Sequence, residues 1–260
     1  MIPKIIHYCL FGRSPKPKLV RKCIASWEKY CPDYTIIEWN EDNFDISSAP
    51  LYVRQAYEAK KWAFATDYIR LRILYDNGGI YMDTDVELIR SPELLLNNRV
   101  YFGFEYDYRV ASGLGCGAEK HAPILLELMA MYETKPFILP DGSKDQTWNS
   151  LKETEVLTKH GLVPDGHEQL LENTIHIYPE EYLHPFRWGD KAPRLTEKTI
   201  SIHWYDHSWW DNYLVTRLFR SKAAYKYVMY VLRAPNRAAI HLLGRERYAR
   251  LKKRLSGNSK

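Results

Sequence analysis

The stretch 62–88, WAFATDYIRLRILYDNGGIYMDTDVEL, decides the fold. In its first part Trp62, Ala65, Ile69 and Ile73 recur at helical spacing, and Phe64, Tyr68, Leu71 and Tyr75 make a second apolar stripe. Such a pattern predicts one long helix over 54–76 that is covered on more than one side. Asn77, Gly78 and Gly79 then supply a C-terminal cap and a turn, because these residues tolerate positive φ. From 80 to 89 the period drops to two: Ile80, Met82, Thr84, Val86 and Leu88 share one strand face, and Tyr81, Asp83, Asp85 and Glu87 the other.

Working outward, residues 2–10 (IPKIIHYCL) read as a short buried strand, 17–30 as a helix through Leu19, Cys23 and Trp27, and 34–39 (YTIIEW) as a second strand. Strand, helix, strand within about 40 residues opens a right-handed parallel unit. Downstream, Ser91-Pro92-Glu93 ends the 80–89 strand, and 100–118 reads as turns around Gly113, Gly115 and Gly117. A helix is expected over 121–134, a loop over 139–150, a helix over 151–160, and strands over 174–178 and 199–204.

Composition sets the bounds. The 260 residues are 45% hydrophobic, enough for one large core with an appendage, which excludes a disordered chain. Twenty Tyr and eight Trp suit a surface that stacks on bases or sugar rings as well as an aromatic core. The four cysteines, Cys9, Cys23, Cys31 and Cys116, form neither a C-x-x-C pair nor a metal-ligand spacing, as expected of reduced thiols in a cytoplasm. Neither a secretion signal nor a membrane-spanning run is expected.

Asp83-Thr84-Asp85 is the sharpest chemical signal. On a strand, two carboxylates two residues apart point the same way, about 6.5–7 Å apart, and hard oxygen ligands suit Mg²⁺ or Mn²⁺. A divalent ion held there could stabilise a departing diphosphate. An isolated D-x-D is more often a solvated strand face; its placement after a buried helix and a Gly-Gly turn favours a site. Asp67 and Arg70, three apart between the two helical stripes, must satisfy one another or face a ligand, since an unpaired buried charge is costly. His203 ends a predicted strand and precedes Trp204, Tyr205, Asp206, His207, Ser208, Trp209 and Trp210. Its neutral imidazole could complete a coordination sphere, while Ser208 and the Trp209 indole N–H could bind phosphate oxygens.

Together, IPKIIHYC-x-FG, WAFATDYIRLRILYDNGGIYMDTDVEL and SIHWYDHSW resemble glycosyltransferase family 32, the D-x-D-containing sugar transferases that include capsular polysaccharide enzymes. More distantly they are similar to the glucosyltransferase domain of large clostridial toxins. The resemblance spans about residues 2–212. It implies an α/β fold of GT-A type, Rossmann-like with a mixed, mostly parallel central sheet flanked by helices. It also implies a nucleotide-diphosphate sugar donor, Mn²⁺ or Mg²⁺, and retention of anomeric configuration. By the resemblance Asp83 faces donor ribose and metal, Asp85 and His203 ligate the ion, and Ser208 and Trp209 lie near the diphosphate. Thr84 belongs to the same donor-binding set, and Asp67 and Arg70 match a D-x-x-R pair that contacts the donor. Asp145 and Gln146 fall in the loop around the transferred sugar. Leu10 stands where the family has a tryptophan that stacks on the base, with Tyr8 beside it, which leaves the base preference open.

The expected donor is a UDP-sugar, with GDP-mannose second, and the acceptor a glycan or lipid-linked oligosaccharide. Residues 214–260 hold 13 Lys+Arg and one acid, Glu246. Residues 213–260 therefore read as a basic amphipathic helical tail on a catalytic domain of 1–212. Through 214–255 the tail either meets an anionic membrane surface, placing the protein at the cytoplasmic face of the cell membrane, or packs on the domain. Nucleic acid is not expected, since no recognition module accompanies the charge. Two other classes stay open: a catalytically weak glycan- or membrane-surface-binding relative, suggested by Leu10, and a haloacid-dehalogenase-type phosphatase. The latter normally carries its acidic motif after the first strand.

Overall fold

The computed structural model describes residues 1–205, with 14, 106 and 187–191 excepted. Ser208, Trp209 and the basic tail therefore lie outside the described residues. The strand, helix, strand opening is present as β1 (Ile5–Cys9), α1 (Lys18–Tyr30) and β2 (Thr35–Trp39), with β1 and β2 parallel from Ile5 opposite Thr35 to Cys9 opposite Trp39. Next come α2 (Leu51–Glu58), α3 (Trp62–Asn77), β3 (Gly79–Tyr81) and β4 (Val86–Leu88). They are followed by β5 (Val100–Glu105), β6 (Arg109–Val110), β7 (Cys116–Ala118), α4 (Pro123–Glu133) and α5 (Asn149–Lys159). The last described elements are β8 (Gln169–Leu171), β9 (Ile175–Tyr178), α6 (Glu180–Leu183) and β10 (Ser201–His203).

The main sheet runs β2-β1-β3-β7-β5-β9-β8, with β6 paired to β5. The pairs β1–β2, β1–β3 and β5–β9 are parallel, while β7 lies antiparallel to both β3 and β5. β8–β9 and β5–β6 are antiparallel as well, so the sheet is mixed and flanked by helices, as expected. Strand alternation divides the core in two. Cys9, Tyr81, Phe102 and Phe104 pack with α2, α3, α4 and α5, while Ile6, Tyr8, Ile80, Met82 and Tyr101 pack with Cys23 and Trp27 of α1. No helix among the described residues is long and apolar enough to cross a membrane.

Two expected elements are broken in the structure. The single helix over 54–76 is two helices, because Lys60 takes φ +57°. The Lys61 amide donates to the Ala56 carbonyl and that of Lys60 to Tyr57, a Schellman closure with lysine where glycine is usual. The strand over 80–89 is also two. The chain leaves the sheet after Tyr81 and turns at Thr84 and Asp85, with the Val86 amide donating to the Asp83 carbonyl at 3.0 Å. It then continues as β4, which pairs with β10 in a separate two-stranded ribbon. The region 100–118, expected as turns, holds β5, β6 and β7; short strands flanked by glycine carry little period-two signal.

The Gly78-Gly79 turn behaves as expected, with φ +68° and +102°. A Cβ on Gly79 would meet the Ile5 carbonyl oxygen at 2.7 Å, so glycine lets α3 turn straight into the sheet. Beside it, fully buried His7 donates from Nε2 to the Gly78 carbonyl at 2.9 Å and accepts at Nδ1 from the Trp39 indole at 3.0 Å. Acceptance at Nδ1 needs a neutral ring, and burial lowers the pKa to about 4 although the bond to Gly78 opposes this. The unfolded chain takes up this proton below about 6.5 while the folded one refuses it, so stability falls as pH drops from about 6.5 to 4. The slope from this one group is at most about 1.4 kcal/mol per pH unit. Urea unfolding across that window is expected to show a shallower acid limb in His7→Gln, whose amide can donate and accept in the same places without titrating.

Candidate active site

Three side chains from two chain segments meet beyond the end of β3: Asp83, Asp85 and His203, each offering one ligand atom, all within 4.8 Å of one another. The turn at 84–85, not strand pleat, brings the two aspartates together, so the premise of two carboxylates projecting from one strand is corrected while the pair itself converges. β10 places the third residue. It runs antiparallel to β4 with His203 opposite Val86, one position from Asp85. The Trp204 amide donates to the Asp85 carbonyl at 3.0 Å, and Trp27 anchors β4 by donating its indole N–H to the Val86 carbonyl at 2.8 Å.

Asp83 is tightly oriented. Its Oδ1 accepts from the Tyr81 hydroxyl at 3.1 Å and faces Arg70 at 3.3 Å. Arg70 is itself buried and engaged on every side. It pairs with Asp67 at 3.1 Å, donates from Nε to the Thr66 carbonyl at 3.2 Å and toward the Ser112 hydroxyl at 3.4 Å, and lies over the Tyr81 ring at 5.1 Å. Burial pushes the Asp67 carboxyl up to about 7, an effect Arg70 offsets only in part. Burial also raises the Asp83 carboxyl, again against Arg70.

His203 faces the Asp85 carboxylate at 3.0 Å through Nε2, while its Nδ1 is buried without a hydrogen-bond partner. Its ring lies against Tyr205 at 4.0 Å between centroids, and the Tyr205 hydroxyl donates to Glu105 at 3.1 Å. Burial opposes charge on this imidazole, but Asp85, Asp83 and Glu105 outweigh it and hold its pKa above the ordinary value. Two carboxylates and an imidazole, crowded at distances where like charges repel and with a buried ring nitrogen unpaired, fit a divalent cation of the Mn²⁺ or Mg²⁺ kind.

The other residues expected at the site fall in three places. Tyr8 and Leu10 lie at the C-terminal end of β1. The Tyr8 hydroxyl donates to Glu38 at 2.6 Å and accepts from Lys16 at 3.1 Å, and the Leu10 amide donates to the Trp39 carbonyl at 2.9 Å. Thr84 sits in the turn between the aspartates. Asp145 and Gln146 line a cleft of 610 Å³ that does not include the three candidate ligands, and Asp145 is held by Lys152 at 3.2 Å.

Sequence reasoning missed Tyr81, Ser112, Gly113 and Glu153. Glu153, fully buried on α5, accepts from the Ser112 amide at 2.7 Å and hydroxyl at 2.6 Å, which fixes the hydroxyl beside Arg70. Its position in a helix whose other face is solvated carries no sign of this. Tyr81 was legible as a neighbour of Asp83 on one face, two residues away, and Gly113 as one of three closely spaced glycines.

With this geometry in view, comparison with known proteins is informative. Residues 17–101 match the family model described as glycosyltransferase sugar-binding region containing DXD motif, and Asp83 and Asp85 fall inside the match. A search of curated proteins returns no significant match. Among solved structures the chain is similar to the PaToxG glycosyltransferase, at 16% identity and TM-score 0.47, covering 61% of this chain and 69% of that one. It is also similar to a glycosyltransferase involved in the glycosylation of the major capsid of PBCV-1, at 12% identity and TM-score 0.39, covering 70% and 84%. Over residues 17–101, then, the chain is similar to a glycosyltransferase sugar-binding region of the D-x-D kind. The resemblance to the family 32 type is thereby borne out.

Proposed function

We propose that the chain is a metal-dependent, retaining glycosyltransferase that moves a hexose or N-acetylhexosamine from a nucleotide-diphosphate sugar to a glycan acceptor in capsular or surface polysaccharide synthesis. A UDP-sugar is the favoured donor and GDP-mannose the second. The observation that carries the reading is the convergence of Asp83, Asp85 and His203 within 4.8 Å, with both aspartates inside the matched D-x-D region.

In this reading Asp83, Asp85 and His203 would hold Mn²⁺ or Mg²⁺, which supplies Lewis-acid stabilisation of the departing diphosphate. Tyr81 and Arg70 fix the Asp83 carboxylate, so its orientation is set before any ligand arrives. Since the Arg70 donors are already engaged, its contribution is to position Asp83 and Asp67; Asp67 accepts hydroxyl donors of the ribose or sugar. Tyr205 holds the His203 ring against rotation. Tyr8 and Leu10 border the nucleoside, and Ser208 and Trp209 complete the diphosphate site. Residues 1–212 form the catalytic part, and the basic segment 214–255 brings it to the cytoplasmic face of the membrane and a lipid-linked acceptor.

The test is a panel of UDP- and GDP-sugars incubated with the full chain in Mn²⁺, Mg²⁺ or EDTA. Release of free sugar from one donor is expected, dependent on metal, with the first-formed anomer matching the donor by NMR. Equal release in EDTA sinks the metal reading, and inversion sinks the stereochemical one.

A further inference from the structure

The cleft that holds Asp145 and Gln146 is built for something other than the metal. It opens between the α5 N-terminus and β6, lined in part by Arg109, Leu139, Lys144, Trp148 and Leu151. Trp148 is 48% exposed, and the Arg109 guanidinium lies over its ring at 5.6 Å. The backbone that carries it is fixed, because Trp148 caps α5 and its carbonyl accepts the Leu151 amide at 3.1 Å. Leu139 and Leu151 are also exposed, at 37% and 43%.

Charge separates this surface from a neutral sugar platform. The Asp145 carboxylate is neutralised by Lys152 at 3.2 Å, and its Oδ1 accepts the Thr147 amide at 3.0 Å. Arg109 and Lys144 make no ion pair among the described residues. The cleft therefore presents, beside an aromatic plane, two cations without an ion pair among the described residues, with Arg109 attracted only at longer range by Glu105. A pyranose ring packs its C–H face on such a plane, and a carboxylate on that ring meets the guanidinium as a two-point partner.

We propose that the Arg109–Trp148 cleft is an acceptor subsite for a uronic-acid residue of an acidic glycan. The inference rests on the transferase reading and names its acceptor class. Position supports it. Arg109 lies three residues before Ser112 and Trp148 five before Glu153, and the hydrogen bonds between Ser112 and Glu153 abut Arg70 and hence Asp83. The cleft is thus linked through Glu153, Ser112 and Arg70 to Asp83 without sharing the candidate metal ligands.

The probe is a tetrasaccharide of alternating glucuronic acid and N-acetylglucosamine, set against its carboxyl-reduced counterpart, titrated into the full chain by calorimetry. The acidic probe is expected to bind at least about 10-fold tighter. Arg109→Gln removes that preference, Trp148→Ala weakens both probes, and UDP with Mn²⁺ does not displace the acidic one. Equal binding of the two probes by the native chain overturns the subsite, as does a preference that survives Arg109→Gln or displacement by UDP. Donor hydrolysis by the same native preparation separates the two readings. Hydrolysis without charge preference removes the subsite alone, whereas charge preference without hydrolysis removes the donor reading and leaves an acidic-glycan site.

Discussion

Asp85→Ala is expected to abolish the metal-dependent release of sugar from the nucleotide donor, by more than about 100-fold, without unfolding the chain. Loss of mere supporting contacts at metal sites costs roughly 10–100-fold, and Asp85 is one of three side chains able to touch the ion directly. The fold should tolerate the change. The Asp85 backbone, which accepts the Trp204 amide, is kept, and one of two crowded carboxylates disappears. His203 loses its partner at 3.0 Å, a cost softened because an imidazole can go neutral. The measurement is paired: donor hydrolysis against Mn²⁺ concentration, and thermal unfolding with and without Mn²⁺. The native chain gains melting temperature from the ion by mass action and the variant does not. Equal hydrolysis by both proteins would overturn the metal assignment.

How far the sequence reaches is best seen at this same turn. The α3 stripe, the Asn-Gly-Gly stop and the alternation from 80 were legible, because packing of a buried helix and the φ of glycine are local facts. Ile80, Met82, Val86 and Leu88 do share one core, as the alternation demanded. Alternation alone could not show that the chain leaves one sheet after Tyr81 and joins another at Val86, since that is decided by β10, more than 100 residues later. For the same reason the break at Lys60 escaped notice: lysine at positive φ is held by the Schellman bonds to Ala56 and Tyr57, with no glycine to announce it. At the site, Asp67 and Arg70 were readable as a pair because burial of charge forces pairing. Ser112 and Glu153 were not, because what links them to Arg70 is a contact across 41 residues between a loop and a helix.

Gly113 yields the second large effect, and one that divides fold from function. Its φ does not require glycine, so alanine is free to adopt the backbone; the constraint is space. A Cβ there would collide with Asp83 Oδ2 and sit 2.9 Å from an Arg70 terminal nitrogen. The backbone is pinned, since the Gly113 carbonyl accepts the Asp83 amide at 3.3 Å, so the side chain must yield. Rotating the Asp83 carboxylate away breaks the bonds its Oδ1 makes with Tyr81 and Arg70 and turns it from Asp85 and His203. Gly113→Ala is therefore expected to lower metal-dependent hydrolysis by at least about 10-fold, the lower end of what displaced support costs a metal site. Stability should change by no more than about 2 kcal/mol, the range for one disturbed buried polar contact. A split of this kind, activity lost and melting nearly kept, means the small residue is there to let the carboxylate lie flat against the loop. Full activity in Gly113→Ala would mean that the Asp83 orientation described here is not the one used in catalysis.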